Sequence, residues 1–214
     1  MTDRRATTAY LAGAAFVAAV VVGCSLVIDL SLWAVVPLVA TVIAGAMLLR
    51  VRHRRRGRAG TFVSAAVHYA FAGAATLLLI QLVPYGRTIP NPPVLGEPAW
   101  ADESTRRTMV AACFACHSNE VSVVWYARIA PLSWAVADHI DGGREAVNYS
   151  TFVIDPGAAA KTIETILDGS MPPRYFTYFG RHPEAQFTEE QLAELIAGLS
   201  ATPGLGPPPD EQRP

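Results

Sequence analysis

Three residues with sulfur and metal chemistry fall within five positions, in the run Cys113-Phe114-Ala115-Cys116-His117. In a C-x-x-C-H run two thiols can add to the vinyl groups of a haem as thioethers while the next histidine ligates the iron. The spacing suits a helical turn, with both sulfurs along one haem edge and His117 toward the metal. Two rival chemistries share part of the pattern. A thioredoxin-like pair wants a βαβ setting, and half a zinc site wants a second Cys or His pair at finger spacing. Neither is visible. The motif therefore predicts one covalent haem c, with Cys113 and Cys116 as thioether donors and His117 as proximal iron ligand.

The sixth iron position has several readings. Met171 leads, in Gly169-Ser170-Met171-Pro172-Pro173, because a residue before proline is pushed into extended backbone and can present its thioether from a loop. Met109 qualifies by chemistry alone and reads as core on the helix before Cys113. His139, on an expected helix, is another alternative, and an open or water-bound iron is the last.

The elements that must carry these residues read as helices. One is expected over about 104–116 behind Asp102 or Ser104 as N-cap. A second covers about 131–147, weakened at Gly142-Gly143, and a third about 158–167, stopped by Gly169. The last starts at a capping box, Thr188-Glu189-Glu190-Gln191. Its Leu192, Leu195, Ile196 and Leu199 recur at helical spacing. No alternating strand pattern of any length appears. Residues 84–103 read as a linker, 104–200 as an all-α cytochrome c-like haem domain, and 201–214, with five prolines and two glycines, as a disordered tail.

The first part of the chain is different in kind. Of the 214 residues 51% are hydrophobic and 16% charged, against about 25% charged in an average soluble domain. Asp29 is the one charged residue between Ala6 and Leu49, and Ala59–Gly86 has none. This membrane domain, residues 1–83, predicts three transmembrane helices at about 8–28, 30–49 and 61–83, the first two as a tight antiparallel hairpin. Pro37 is tolerable inside the second. Arg4 and Arg5 precede the first span, and six arginines crowd positions 50–58. Positive loops stay inside, so the N-terminus and this loop are expected in the cytoplasm and everything after about Pro84 outside the bacterial cytoplasmic membrane. Val21-Val22-Gly23-Cys24 looks like a lipoprotein cleavage box, but the apolar run continues to Ile28, which favours a span. His68 lies inside the third span, where ionisable side chains are functional candidates. No other expected span carries a histidine.

Residues 1–82 carry eight arginines and two acids, a net of +6, and 83–214 carry nine basic and sixteen acidic residues, a net of −7. The folded second part has no basic patch, which excludes a simple nucleic-acid binder. Three cysteines exclude a disulfide-stapled mini-protein.

With these residues assembled, the region from about Gln81 to Ser200 resembles the haem-binding domain family of membrane-anchored, single-haem, cytochrome c-like proteins. The carrying segments are Pro84-Tyr85-Gly86-Arg87, Asn91-Pro92-Pro93, Glu97-Pro98-Ala99-Trp100, Cys113–Glu120, Trp125-Tyr126, Ile129-Ala130-Pro131, Ser133-Trp134, Gly143-Arg144 with Asn148 and Ser150, and Met171-Pro172-Pro173. Val124 stands where the family often has proline and Phe152 where tryptophan is common. Three spans replace the usual one. The resemblance implies that a proline carbonyl, here that of Pro131, accepts the Nδ1–H of His117. It also implies that Trp125, Tyr126, Trp134, Tyr175 and Tyr178 wall the haem or hold its propionates, with Arg144 as a propionate partner.

The expected function is electron transfer at the outer membrane face by a tethered carrier rather than an enzyme. Its redox partner would be a basic protein steered by the −7 domain, or a respiratory complex. A haem-based gas or redox sensor, a small peroxidase with an open iron and His139 as acid–base group, and an assembly subunit of a respiratory complex are the alternatives.

Overall fold

The computed structural model describes residues 2–58 and 61–205. It is all-helical, 68% helix with no strand among the described residues. The chain divides into two compact units. One comprises the chain up to Arg87 together with Tyr126–Ala135, and the other comprises Thr88–Trp125 with the chain from Val136 onward.

The first unit is built on α1 (Thr2–Ile28), α2 (Leu32–Arg55) and α3 (Phe62–Ile80). Each is long and apolar enough to cross a membrane. Helix α2 runs six residues beyond the expected Leu49, through the basic segment. Its last turn holds Arg52, His53, Arg54 and Arg55, where positive charge meets the negative end of the helix dipole. The basic connection is therefore mostly helix. The start of α1 meets the end of α2, since Arg50 Nη2 donates to Thr7 Oγ1 at 2.8 Å. Small residues let the helices close: a Cβ on Gly13 would run into the Tyr69 ring, and one on Gly45 would lie 3.1 Å from Ala72 Cβ. Tyr69 donates to the Tyr10 carbonyl at 2.9 Å, and Tyr10 is fully buried. The longer α2 also corrects the isolation of His68. The His53 ring lies 5.2 Å from it, and the Tyr10 hydroxyl bonds its Nδ1.

The second unit holds α4 (Glu103–Ala112), the single turn α5 (Phe114–His117), most of α6 (Leu132–Ala146), α7 (Thr162–Leu167), the turn α8 (Arg174–Thr177) and α9 (Glu189–Ala201). Both expected caps form. Asp102 accepts from Thr105 N, and Thr188 with Gln191 completes the capping box of α9. One core joins Met109, Phe114, Val147, Tyr149, Leu195, Leu199 and Leu205. Two expectations are corrected by that packing. The expected linker, 84–103, is packed into the second unit from Thr88 on, where Glu97 takes a two-pronged ion pair from Arg106 and a bond from Trp100 Nε1, all at 2.8 Å. Within the segment expected as a disordered tail, 201–205 are packed, because Leu205 is fully buried and Thr202 Oγ1 accepts from Ala101 N at 3.1 Å. The remainder of that tail, 206–214, lies outside the described residues.

Candidate functional site

The helix expected across 104–116 breaks at Cys113, whose backbone (φ −116°) ends α4 and starts α5. The break turns the next residues, and Cys113, Cys116 and His117 then line one cavity of about 470 Å3. Met109 and Ala112 of α4, Gly142, Gly143, Ala146 and Val147 at the end of α6, Tyr149 and Ala158 after it, Thr162, Thr165 and Ile166 of α7, and Phe187 form the rest of its body. Met171, Pro172, Pro173, Tyr175 and Phe176 complete the wall, with Asp138, His139 and Lys161 as its charged or titratable additions. The lining is dominantly apolar and lies wholly in the second unit.

Local bonding fixes each candidate group. His117 Nδ1 lies 3.0 Å from the Val147 carbonyl. A carbonyl only accepts, so Nδ1 carries the proton and Nε2 keeps a lone pair. Burial holds the imidazole below its ordinary pKa, against opposing bonds to the Val147 and Gly143 carbonyls. The side chain is thus a neutral, oriented nitrogen donor. Burial pushes the Cys113 thiol up to about 12, aided by Cys116, and the Cys116 thiol to about 11, against the pull of Arg144. Thiols this weakly acidic are the opposite of the activated thiolate of a redox C-x-x-C pair.

Met171 is held by its backbone. Its N–H donates to the Thr165 carbonyl at 2.8 Å, and Ser170 Oγ donates to the same oxygen at 3.1 Å. Gly169, at φ +75°, supplies the left-handed residue that releases the chain from α7. Met171 is 37% exposed. His139 also lines the cavity, stacked on Tyr175 with ring centroids 4.3 Å apart. Met109 is fully buried, its sulfur 3.7 Å from that of Cys113.

Several expected pocket residues lie elsewhere. Pro131 does not serve His117, because Val147 takes that bond. The Pro131 carbonyl instead accepts from Trp134 N and Ala135 N at the start of α6, within the first unit. Trp125 is 75% exposed, Tyr126 is exposed, and Trp134 is stacked on Trp33 at 5.9 Å; none of the three lines the cavity. Of the expected aromatic wall, Tyr175 is present and Tyr178 is not. Arg144 is a clamp rather than a cavity residue. Its Nε, Nη1 and Nη2 donate to the Ser118 carbonyl, the Pro90 carbonyl and Asn91 Oδ1 at 2.8–3.0 Å. Asn119 receives Asn148 Nδ2 at 2.8 Å and donates to the Pro93 carbonyl at 3.1 Å. Ser150 Oγ accepts from Asn119 N at 2.9 Å. This network ties the chain after His117 to the segment before α4.

Sequence reasoning missed Tyr149 and Val147, and gave Gly143 no packing role. A Cβ on Gly143 would lie 2.7 Å from the Cys116 carbonyl, so α6 can pack on the motif only there. A glycine inside an otherwise helical pattern was the available signal. Tyr149 packs beside His117 and stacks on Phe114, its hydroxyl 2.9 Å from Thr162 Oγ1. The Val147 carbonyl is backbone and leaves no mark in side-chain identity.

A family model described as a haem-binding domain matches residues 75–201, more than half the chain. Searches of the curated proteins and of the solved structures give no match.

Proposed function

Because this chain belongs to the haem-binding domain family, we propose that it is a membrane-anchored cytochrome c-like protein that carries one covalent haem and transfers electrons. The observation that carries the reading is the convergence of Cys113, Cys116, His117 and Met171 on one apolar cavity of about 470 Å3. These residues fit the group. Cys113 and Cys116 would hold the haem through thioether bonds to its vinyl groups, a thiol addition that needs no oxidant. His117, oriented by the Val147 carbonyl, would supply a nitrogen ligand to the iron, and Met171 a thioether ligand. Haem supplies a reversible one-electron iron couple, and His/Met ligation raises its potential and closes the metal to substrates. The apolar walls exclude water, and Lys161, the only lysine in the chain, is suited to pair a propionate. Helices α1–α3 anchor the protein, with the arginine-rich end cytoplasmic and the haem on the other side of a bacterial membrane. The acidic balance of the second half suits a basic redox partner or a docking face on a respiratory complex.

A redox titration of the purified full chain followed by absorption tests this. The ferric protein is expected to show the weak red charge-transfer band of methionine ligation, and Met171→Ala to lose it. A wild-type spectrum without that band contradicts the ligation. One observation favours a second reading, a gas sensor: Met171 is partly exposed while His139 and Tyr175 stack in the same cavity. Carbon monoxide binding to reduced wild-type protein would favour it.

A further inference from the structure

The bond that orients His117 depends on a peptide plane that lies just past a helix end. Helix α6 stops at Ala146, and Val147 N still donates to the Gly143 carbonyl at 3.0 Å. The Val147 carbonyl, 3.0 Å from His117 Nδ1, follows that last turn. It belongs to the planar peptide unit shared by Val147 and Asn148. The chain leaves helical backbone there, with Asn148 extended at φ −120° and ψ 103°. Whatever fixes Asn148 therefore aims the carbonyl.

Asn148 is fixed by amide chemistry. Its Oδ1 accepts from Ser150 N at 3.0 Å, so Nδ2 is the end that donates to Asn119 Oδ1, at 2.8 Å. Asn119 N in turn donates to Ser150 Oγ at 2.9 Å, which closes a ring of three bonds. Asn119 Nδ2 is anchored on the Pro93 carbonyl at 3.1 Å. Asn119 and Ser150 are both buried, where hydrogen bonds are least exposed to competition from water. Asn119 lies two residues after His117, and Asn148 one after Val147. The Asn119–Asn148 bond thus joins the same two stretches of chain as the His117–Val147 bond, and limits how far imidazole and carbonyl can separate. Arg144 Nε adds a second tie, to the Ser118 carbonyl at 2.8 Å, but carries a charge. The amide pair is neutral and acts through geometry alone.

We propose that Asn119 and Asn148 are positioning residues for the iron ligand: by holding the Val147 carbonyl on His117 Nδ1, their amide pair sets how strongly the imidazole donates to iron and so tunes the reduction potential of the haem. This rests on the haem reading above. A firm Nδ1–H···O bond makes the ring a stronger donor, which favours Fe(III) and lowers the potential. Loosening the pair raises it.

The test uses the full haem-loaded chain in dodecyl maltoside. Asn148→Ser keeps an oxygen that can cap Ser150 N but is too short to bridge to Asn119, and Asn119→Ala removes the other half of the pair. Neither changes a charge. In both, a redox titration should show the Fe(III)/Fe(II) equilibrium moved toward Fe(II) by about threefold to tenfold, the range one hydrogen bond is worth. The double variant should move it no further than the larger single change, because both cut one tie. In the reduced, diamagnetic protein, proton NMR should show His117 Nδ1–H exchanging with solvent about tenfold faster than in the wild type. Thr202→Val is the control for mere loss of stability. It removes the bond from Ala101 N in the same unit, and should lower the melting temperature yet leave the potential in place. Haem-loaded variants of Asn119 and Asn148 with the wild-type potential and exchange rate overturn the proposal alone, as does an equal shift in Thr202→Val. A wild-type chain that carries no haem overturns the reading beneath it, and the proposal with it.

Discussion

At the residue scale, the site rests on backbone approaches that single atoms can block. Gly143→Ala places a methyl group 2.7 Å from the Cys116 carbonyl. Overpacking of this kind costs about 1–3 kcal/mol, partly offset by about 1 kcal/mol of helix propensity. A net loss of stability and a lower haem yield are expected, read by thermal denaturation of the purified chain. Glu97 gives a pH signature. The Arg106 guanidinium bonded to it, with help from Trp100, holds its carboxyl below the usual value of 4.5 against the opposing effect of burial. The unfolded chain takes up that proton first as pH falls. The pair's stabilisation is therefore complete well above pH 4.5 and is lost as pH drops through the lowered native value. Melting curves from pH 7 to 3 should show Glu97→Gln losing this acid-side dependence. A variant that keeps the full wild-type slope would remove Glu97 as its source.

The candidate residues were legible because C-x-x-C-H is local: five adjacent positions carry two thiols and an imidazole, and all three line one cavity. The partner of His117 was not legible, because it is the Val147 carbonyl, thirty residues on, and any residue but its geometry would serve. The family-like residues Asn91, Asn119, Arg144, Asn148 and Ser150 were legible as a set but not in role. They bind one another and the backbone, and none lines the cavity.

At the element scale, caps gave the starts of α4 and α9 to within a residue, since side chains nearby set them, and the expected 131–147 helix matches α6 to a residue at each end. Errors arose where tertiary packing decides. The break at Cys113 lies inside a continuous helical pattern. The ordered Thr202–Leu205 lies in a proline- and glycine-rich stretch that the core nevertheless recruits. Helix α9 packs on α4 through Gly198, where a Cβ would run into the Thr105 side chain. Gly198→Ala is expected to lower stability by about 1–3 kcal/mol, and Thr105→Ala, which removes the hydroxyl that the new Cβ would meet, to recover part of that. Additive losses in a double-mutant cycle by denaturation would contradict direct contact.

At the scale of the whole molecule, composition announced two different environments, and the two compact units follow that division with one exception. Tyr126–Ala135 comes from the haem-like half yet packs with α1–α3, and no composition shift marks it. The charge split carries its own prediction. With −7 on residues 83–214, electron exchange with a small basic redox protein should slow as salt rises from 10 to 200 mM, by about tenfold on general grounds of screening. Stopped-flow absorption would measure it, and an unchanged rate would contradict steering by that charge.

The central claim, that Cys113 and Cys116 hold a haem through carbon–sulfur bonds, is tested most directly by haem staining after denaturing electrophoresis of the purified chain. The account predicts that haem migrates with the wild-type polypeptide and that Cys113→Ala combined with Cys116→Ala abolishes the stain at that position. Haem that leaves the wild-type chain under these conditions would contradict it.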